Sequence, residues 1–400
     1  MLYKIFILSF ILIIPFHSCT TTKRMEDNQR GTGHFRLYSY PEAVAPDKYD
    51  QERYKKLVIV SSNDFNGYIT SANFPVDNKF KEERLLKIGG LSAMRAYHDI
   101  FKETFSDNLL FVDSGSFLSP ETDHNYTIFL YNYLSVDVAS LGFNEFKLKT
   151  SVKNYTDYLE SLTSKSQFKI ISSNLFDLTQ AKSLKLNGVQ ETHIQIINGV
   201  KVGVMGVLNQ KMTNEIPKSK LNGLYIQNTP KNIITKSNEL RRQGAQVIVL
   251  LTNSSIDCSS QIAQEENLPA QKVNFNPKKS NQCNTYNNFL YETLTKIPPR
   301  TVDLIITSGK SLKVANFINS YPVMQNEGKG QYLSWAELYF DTKHEMVDQE
   351  KTVLHQPVQL CHNFLKEHQD CFSMENIAGK ELVPATFLGK PIKIKELPRL

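Results

Sequence analysis

Residues 57–67 read LVIVSSNDFNG: four aliphatic side chains in a row, then a short polar loop closed by glycine. An unbroken apolar run of this length fits a buried strand. The loop then delivers Asn63, Asp64 and Asn66 to whatever lies beyond the strand's carboxyl end, which is where ligand sites gather in α/β proteins.

The same pattern recurs along the chain. Residues 89–105, GGLSAMRAYHDIFKETF, predict a glycine-started amphipathic helix, and residues 108–116, NLLFVDSGS, a strand with a polar turn. Residues 128–146 read as helix, strand and loop, and 168–176 as another strand. Residues 193–207, HIQIINGVKVGVMGV, predict a hairpin turning on Asn198-Gly199. Residues 230–254 predict helix, glycine stop and strand. Residues 301–311, TVDLIITSGKS, give one more strand with a polar end, and 321–341 a strand pair. Strands alternating with helices, followed by late hairpins, predict an α/β fold with mixed sheets. The loops SSNDFNG, VDSGS, LGFNEF, LLTNSS and TSGKS are expected to cluster in space.

The chain of 400 residues is 40% apolar, enough for a sizeable core. Its formal charge is +6, with the basic residues scattered. The absence of a basic stripe argues against nucleic acid as a partner. The stretch 5–16 is too short to span a bilayer, which takes about 20 apolar residues, and fits the core of a secretory signal. Cys19 stands where a bacterial lipoprotein signal places its lipidated cysteine. Residues 1–18 are therefore expected to be a signal peptide and 19–56 a lipid-anchored, flexible tether. Residues 57–350 are expected to form the folded domain, and 351–400 a C-terminal extension ending in a truncated linker. The expected location is the cell envelope, periplasmic or surface-exposed, with the membrane bound through the anchor. Beyond Cys19 there are four cysteines, an even number that reads as two disulfides in an exported chain. Three pairings are open; the local ones, Cys258–Cys283 and Cys361–Cys371, are expected because short loops close readily.

Taken in order, the five loops resemble those of the 5′-nucleotidase family of calcineurin-like metallophosphatases, over about residues 57–394. The family's N-D-x-H-G is Asn63-Asp64-Phe65-Asn66-Gly67 here, and its D-x-G-D is Asp113-Ser114-Gly115-Ser116. G-N-H-E-F is Gly142-Phe143-Asn144-Glu145-Phe146. The single histidine ending a later strand aligns with Asn253, and G-H-x-H aligns with SGKS, placing Gly309 and Ser311 at its histidines. The resemblance implies a four-layer α/β/β/α sandwich of two mixed sheets. It also implies a two-metal site, and a nucleoside-gripping C-terminal domain that this sequence stops short of.

The departures concern the metals. Asp64 keeps its carboxylate. Asn66, Ser116, Phe143, Asn253, Gly309 and Ser311 replace the other ligands with amides, hydroxyls, a ring and a bare backbone, and Asn144 replaces the histidine that would stabilise phosphate charge. Two dications about 4 Å apart repel by about 17 kcal/mol even at an effective dielectric near 20. One carboxylate does not offset that, and transition metals prefer imidazole and carboxylate donors. The expected cofactor is none, or at most one weakly bound divalent cation near Asp64. Of the nine histidines, His98 is expected on a helix surface and His124, the only one near the pocket, in a solvated loop. Asp113 is expected to cap its turn. TSGKS lacks the first glycine of a phosphate-binding loop, and no G-x-S-x-G elbow is present. Trp335 and Tyr332 are expected in the core. The expected function is a non-catalytic binding or structural module for an unknown protein or small-molecule ligand. The alternative is a divergent phosphoester hydrolase using one metal or none.

Overall fold

The computed structural model describes residues 50–76, 84–148, 155–177, 182–183, 186–216, 224–258, 273–274, 283–310, 312–367, 369–371 and 377–399. The first half of the framework runs β1 (Tyr54–Ser62), α1 (Leu91–Phe105), β2 (Leu109–Asp113), α2 (His124–Leu134), β3 (Val138–Ser140), α3 (Tyr155–Thr163), β4 (Lys169–Ile171) and β5 (Val189–Gln190). The second half runs β6 (Thr192–Ile197), β7 (Val200–Val207), α4 (Thr229–Arg242), β8 (Val247–Thr252), β9 (Val273–Asn274), α5 (Phe289–Leu294), β10 (Leu304–Thr307), β11 (Val314–Ile318), β12 (Tyr321–Gln325), β13 (Tyr332–Asp341), β14 (Met346–Val347) and β15 (Val353–Gln359).

The strands form a nine-stranded sheet in the order β9-β15-β13-β1-β2-β3-β4-β5, with β14 beside β13, and a six-stranded sheet in the order β6-β7-β8-β10-β12-β11. Both are mixed: β1 runs parallel to β2 but antiparallel to β13, and β7 runs parallel to β8 but antiparallel to β6. Side-chain alternation explains the layering. In β1, Leu57 and Ile59 pack with Val202, Val249 and Ile306 of the second sheet. Val58 and Val60 point the other way, onto Leu91, Met94 and Phe101 of α1. On the far side, Ile248 and Leu250 of β8 pack on Ile233 and Leu240 of α4 and Leu290 of α5. These strands are covered on both faces, which is why their apolar runs are unbroken. The layers are helix, sheet, sheet, helix, as expected.

Local signals worked where they carry their own geometry. Asn198 (φ 50°) and Gly199 (φ 76°) make the two-residue turn between β6 and β7, with φ positive at both positions as that turn requires. α4 starts with the Asn228 side chain accepting from the Lys231 amide, carries Pro230 in its first turn, and is followed by Gly244 at φ 91°. Both expected disulfides are formed, with Cα–Cα distances of 4.1 Å for Cys258–Cys283 and 5.8 Å for Cys361–Cys371.

Four readings need correction. β12 and β13 are not a pair: β12 lies in the second sheet and β13 in the first, because the loop between them crosses the interface. His98 is buried and stacks on Phe111 with ring centroids 4.8 Å apart; it lies on the core side of α1, and burial lowers its pKa to about 4. His124 is not in a solvated loop but is the buried first residue of α2, where its ring contacts the Tyr158 hydroxyl and the Ser119 carbonyl. Trp335 is in the core as expected, flat against His355 at 3.4 Å. β15 lies beyond the 350 boundary drawn from the sequence and is a strand of the first sheet. Further on, the Phe387 ring packs against Tyr97 and Phe101 of α1.

Candidate functional site

The loops after β1, β2, β3, β8 and β10 come together at the carboxyl ends of the central parallel strands. The Asp64 and Asn66 amides donate to the Gly115 and Ser116 carbonyls. Asn144, after β3, donates from its side chain to the Asn66 side chain at 2.6 Å. From the second sheet, the Gly309 amide donates to the Asp64 carboxylate at 2.8 Å, and the Ser308 amide donates to the Thr252 carbonyl. Ser311 and Cys19 lie outside the described residues.

A buried polar frame holds these loops. Glu145 accepts the backbone amides of Ser116 (3.0 Å), Leu118 (2.8 Å) and Gly142 (2.7 Å), and so pins the loop after β2 to the loop after β3. Asp113 accepts from the Ser62 hydroxyl, the Gly115 amide and the Tyr131 hydroxyl, the turn-capping role expected of it. Asn63 and Asn326 exchange side-chain and backbone bonds at 2.8 and 2.9 Å, tying the loop after β1 to the loop before β13. Gly142 must lack a side chain, since a β-carbon would sit 2.3 Å from the Ser116 nitrogen. Sequence reasoning places Glu145 only inside a motif and gives Asn326 no role. A lone glutamate inside an otherwise small and apolar loop is the available signal for Glu145.

The carboxyl groups of Asp113 and Glu145 are fully buried, and that of Asp64 is half-buried. Burial pushes Asp64 up to about 6, against the opposing bonds from Gly309 and Asn63. Burial likewise raises Asp113 and Glu145 to about 7 each, opposed by their hydrogen-bond donors. For a carboxyl raised on folding, the native state binds more protons than the unfolded chain between the two pKa values, so stability falls as pH rises through that window. Asp113→Asn removes one such group while keeping an acceptor for Gly115. Its melting temperature relative to the unsubstituted chain is expected to improve from pH 4.5 to about pH 7 and to level off above it, which paired thermal melts from pH 4.5 to pH 8 would read. A difference that stays flat with pH would contradict the raised carboxyl.

The donor set does not fit a metal pair. The Asn66 and Asn144 amides are bonded to each other. Ser116, at φ 60°, has its hydroxyl 3.4 Å from the Asn144 amide. The Phe143 ring lies beneath the Lys147 ammonium, 3.4 Å from centroid to nitrogen. The Asn253 side-chain oxygen accepts the Asn209 amide at 3.0 Å, and its nitrogen contacts the Met212 sulfur. Gly309 offers only backbone, at φ 109°. Among the described residues, no group of three or more His, Cys, Asp or Glu side chains is placed to hold a metal ion. The structure thus brings Asp64, Asn66, Ser116, Phe143, Asn144, Asn253 and Gly309 to one end of the sandwich, as a hydrogen-bonded surface with a single carboxylate.

No protein-family model matches the chain, and neither does any curated protein sequence. Solved structures do match. The calcineurin-like phosphoesterase YfkN from Bacillus subtilis is 17% identical, with a TM-score of 0.53, over 77% of this chain and 91% of that one. The 5′-nucleotidase precursor from Thermus thermophilus is 14% identical, with a TM-score of 0.54, over 77% and 55%. The NAD nucleotidase of Haemophilus influenzae is 16% identical, with a TM-score of 0.52, over 77% and 51%. The chain spans about half the length of the latter two. Its fold is that of the 5′-nucleotidases and calcineurin-like phosphoesterases.

Proposed function

We propose that this chain is a non-catalytic binding or structural module on a metallophosphatase-like scaffold, exported and lipid-anchored through Cys19 at the cell envelope. The observation that carries the reading is the bonding of the expected ligand positions to protein partners. The Asn66 amide is engaged with Asn144, the Asp64 carboxylate with Gly309 and Asn63, and the Asn253 amide with Asn209. These positions are engaged in bonds within the protein, and hydrolysis by two metals needs carboxylate and imidazole donors that are not grouped here among the described residues. The partner would be a protein or small molecule, not nucleic acid, and no metal cofactor is assigned.

The retained Asp64 carboxylate favours one second reading, a divergent phosphoester hydrolase using one metal or none. The two separate in an assay of the purified chain against a generic aryl phosphate and a nucleoside 5′-monophosphate, with and without manganese. The expected result is release of phosphate at the level of the protein-free blank. Turnover that rises with manganese and disappears in Asp64→Ala would establish the second reading instead. The anchor is tested separately: Cys19→Ala is expected to move the protein from the membrane fraction to the soluble fraction.

A further inference from the structure

The expected ligand positions are divided between the two sheets. Asp64, Asn66, Ser116 and Phe143 follow strands of the first, and Asn253 and Gly309 follow strands of the second. A metal pair held by them would therefore also fasten the sheets to each other at this end of the sandwich. The donors do not fit such a pair, yet the loops remain in contact.

We propose that a direct hydrogen-bonded clasp takes over that fastening, so that the architecture of the cleft is independent of divalent metal. The clasp has two parts. The Asp64 carboxylate, from the first sheet, accepts the Gly309 amide of the second at 2.8 Å. Beneath it, Ser114 and Ser308 make a reciprocal exchange. The Ser114 hydroxyl donates to the Thr307 carbonyl at 3.1 Å, and the Ser308 hydroxyl donates to the Ser114 carbonyl at 3.0 Å. Both serines are fully buried, so each hydroxyl, once deprived of its partner, leaves an unsatisfied buried group. Gly309 completes the arrangement. At φ 109° its loop holds a backbone that a side chain strains, and this conformation aims its N–H at Asp64.

The clasp makes predictions that turnover does not, because a metal-free hydrolase would keep it and a metal-built cleft would not. In the purified full-length chain, thermal melts in EDTA and in millimolar manganese are expected to coincide within about 1 °C, since a ligand that does not bind the native state shifts nothing. Hydrogen exchange at the Gly309 amide is expected to speed up at least tenfold in Asp64→Ala and to stay near the original rate in Asp64→Asn, which keeps an oxygen acceptor. Ser308→Ala is expected to lower the melting temperature by about 2–4 °C. The proposal is overturned if EDTA lowers or millimolar manganese raises the melting temperature of the unsubstituted chain by more than the shift of about 1–2 °C that one weakly held cation supplies. It is equally overturned if Asp64→Ala leaves Gly309 exchange unchanged. Should Asp64→Ala fail to fold, the metal melts and Ser308→Ala decide.

Discussion

Glu145→Ala is expected to lower the melting temperature by about 10 °C or more, the largest effect of any single substitution around the cleft. The carboxylate is wholly buried and accepts three backbone amides. Each buried N–H left without an acceptor costs about 1–3 kcal/mol, and the emptied volume adds a cavity penalty. Backbone donors cannot be removed by a compensating mutation, so nothing nearby can absorb the loss. Glu145→Gln should fall between the two. An amide oxygen in place of Oε2 still accepts from Ser116 and Gly142, while the amide nitrogen faces the Leu118 N–H. Calorimetry or circular dichroism on the three proteins gives the comparison. An alanine variant melting within about 2 °C of the original would mean that Glu145 does not hold the frame.

The second large effect lies on the face of β13 turned away from the second sheet. Glu337 on β13 is buried, with the Lys56 ammonium at 2.6 Å, the His355 ring nitrogen at 3.1 Å and the Tyr339 hydroxyl at 2.8 Å. Burial alone would raise its carboxyl, but the bond and charge of His355, joined by Lys56, outweigh it and hold the group down at about 2. A carboxyl depressed on folding contributes stability that is present above its unfolded value and is lost as pH falls toward the folded one. Glu337→Ala leaves the Lys56 ammonium in a desolvated site without its counter-charge and removes the oxygen that the His355 ring nitrogen contacts, and breaking a buried pair this way costs about 3–5 kcal/mol. Replacing both charged partners with apolar residues, Lys56→Met with Glu337→Leu, should recover part of the loss, because the desolvation of those two charges is then relieved while His355 still loses its Glu337 contact. The double-mutant cycle reads this directly; additive losses would show that the pair does not act as a unit.

The fold was legible because its signals were local. The run LVIVSSNDFNG specified a buried strand and the loop at its end, Asn198-Gly199 specified a turn, and the spacing of apolar residues specified the helices. Interfaces formed by distant parts of the chain were not legible. Nothing in residues 321–341 says that the strands on either side of Asn326 enter different sheets, since that depends on Asn63 meeting Asn326 across most of the sequence. His98 was misplaced because one polar residue at a helical spacing does not reveal which face β2 will cover. The candidate site was legible in its positions, not in its bonding. The motif identified which side chains had changed, while the Asn66–Asn144 pair, the Asp64–Gly309 contact and the Glu145 frame depend on three-dimensional juxtaposition.

The account rests on the cleft being closed by protein–protein hydrogen bonds in place of metal coordination. The most direct test is anomalous diffraction at the manganese edge from crystals of this protein soaked in manganese. The prediction is no pair of peaks among Asp64, Asn66, Ser116 and Asn253, with at most one weak peak beside Asp64. Two strong peaks about 3.5–4 Å apart at that end of the sandwich would contradict it.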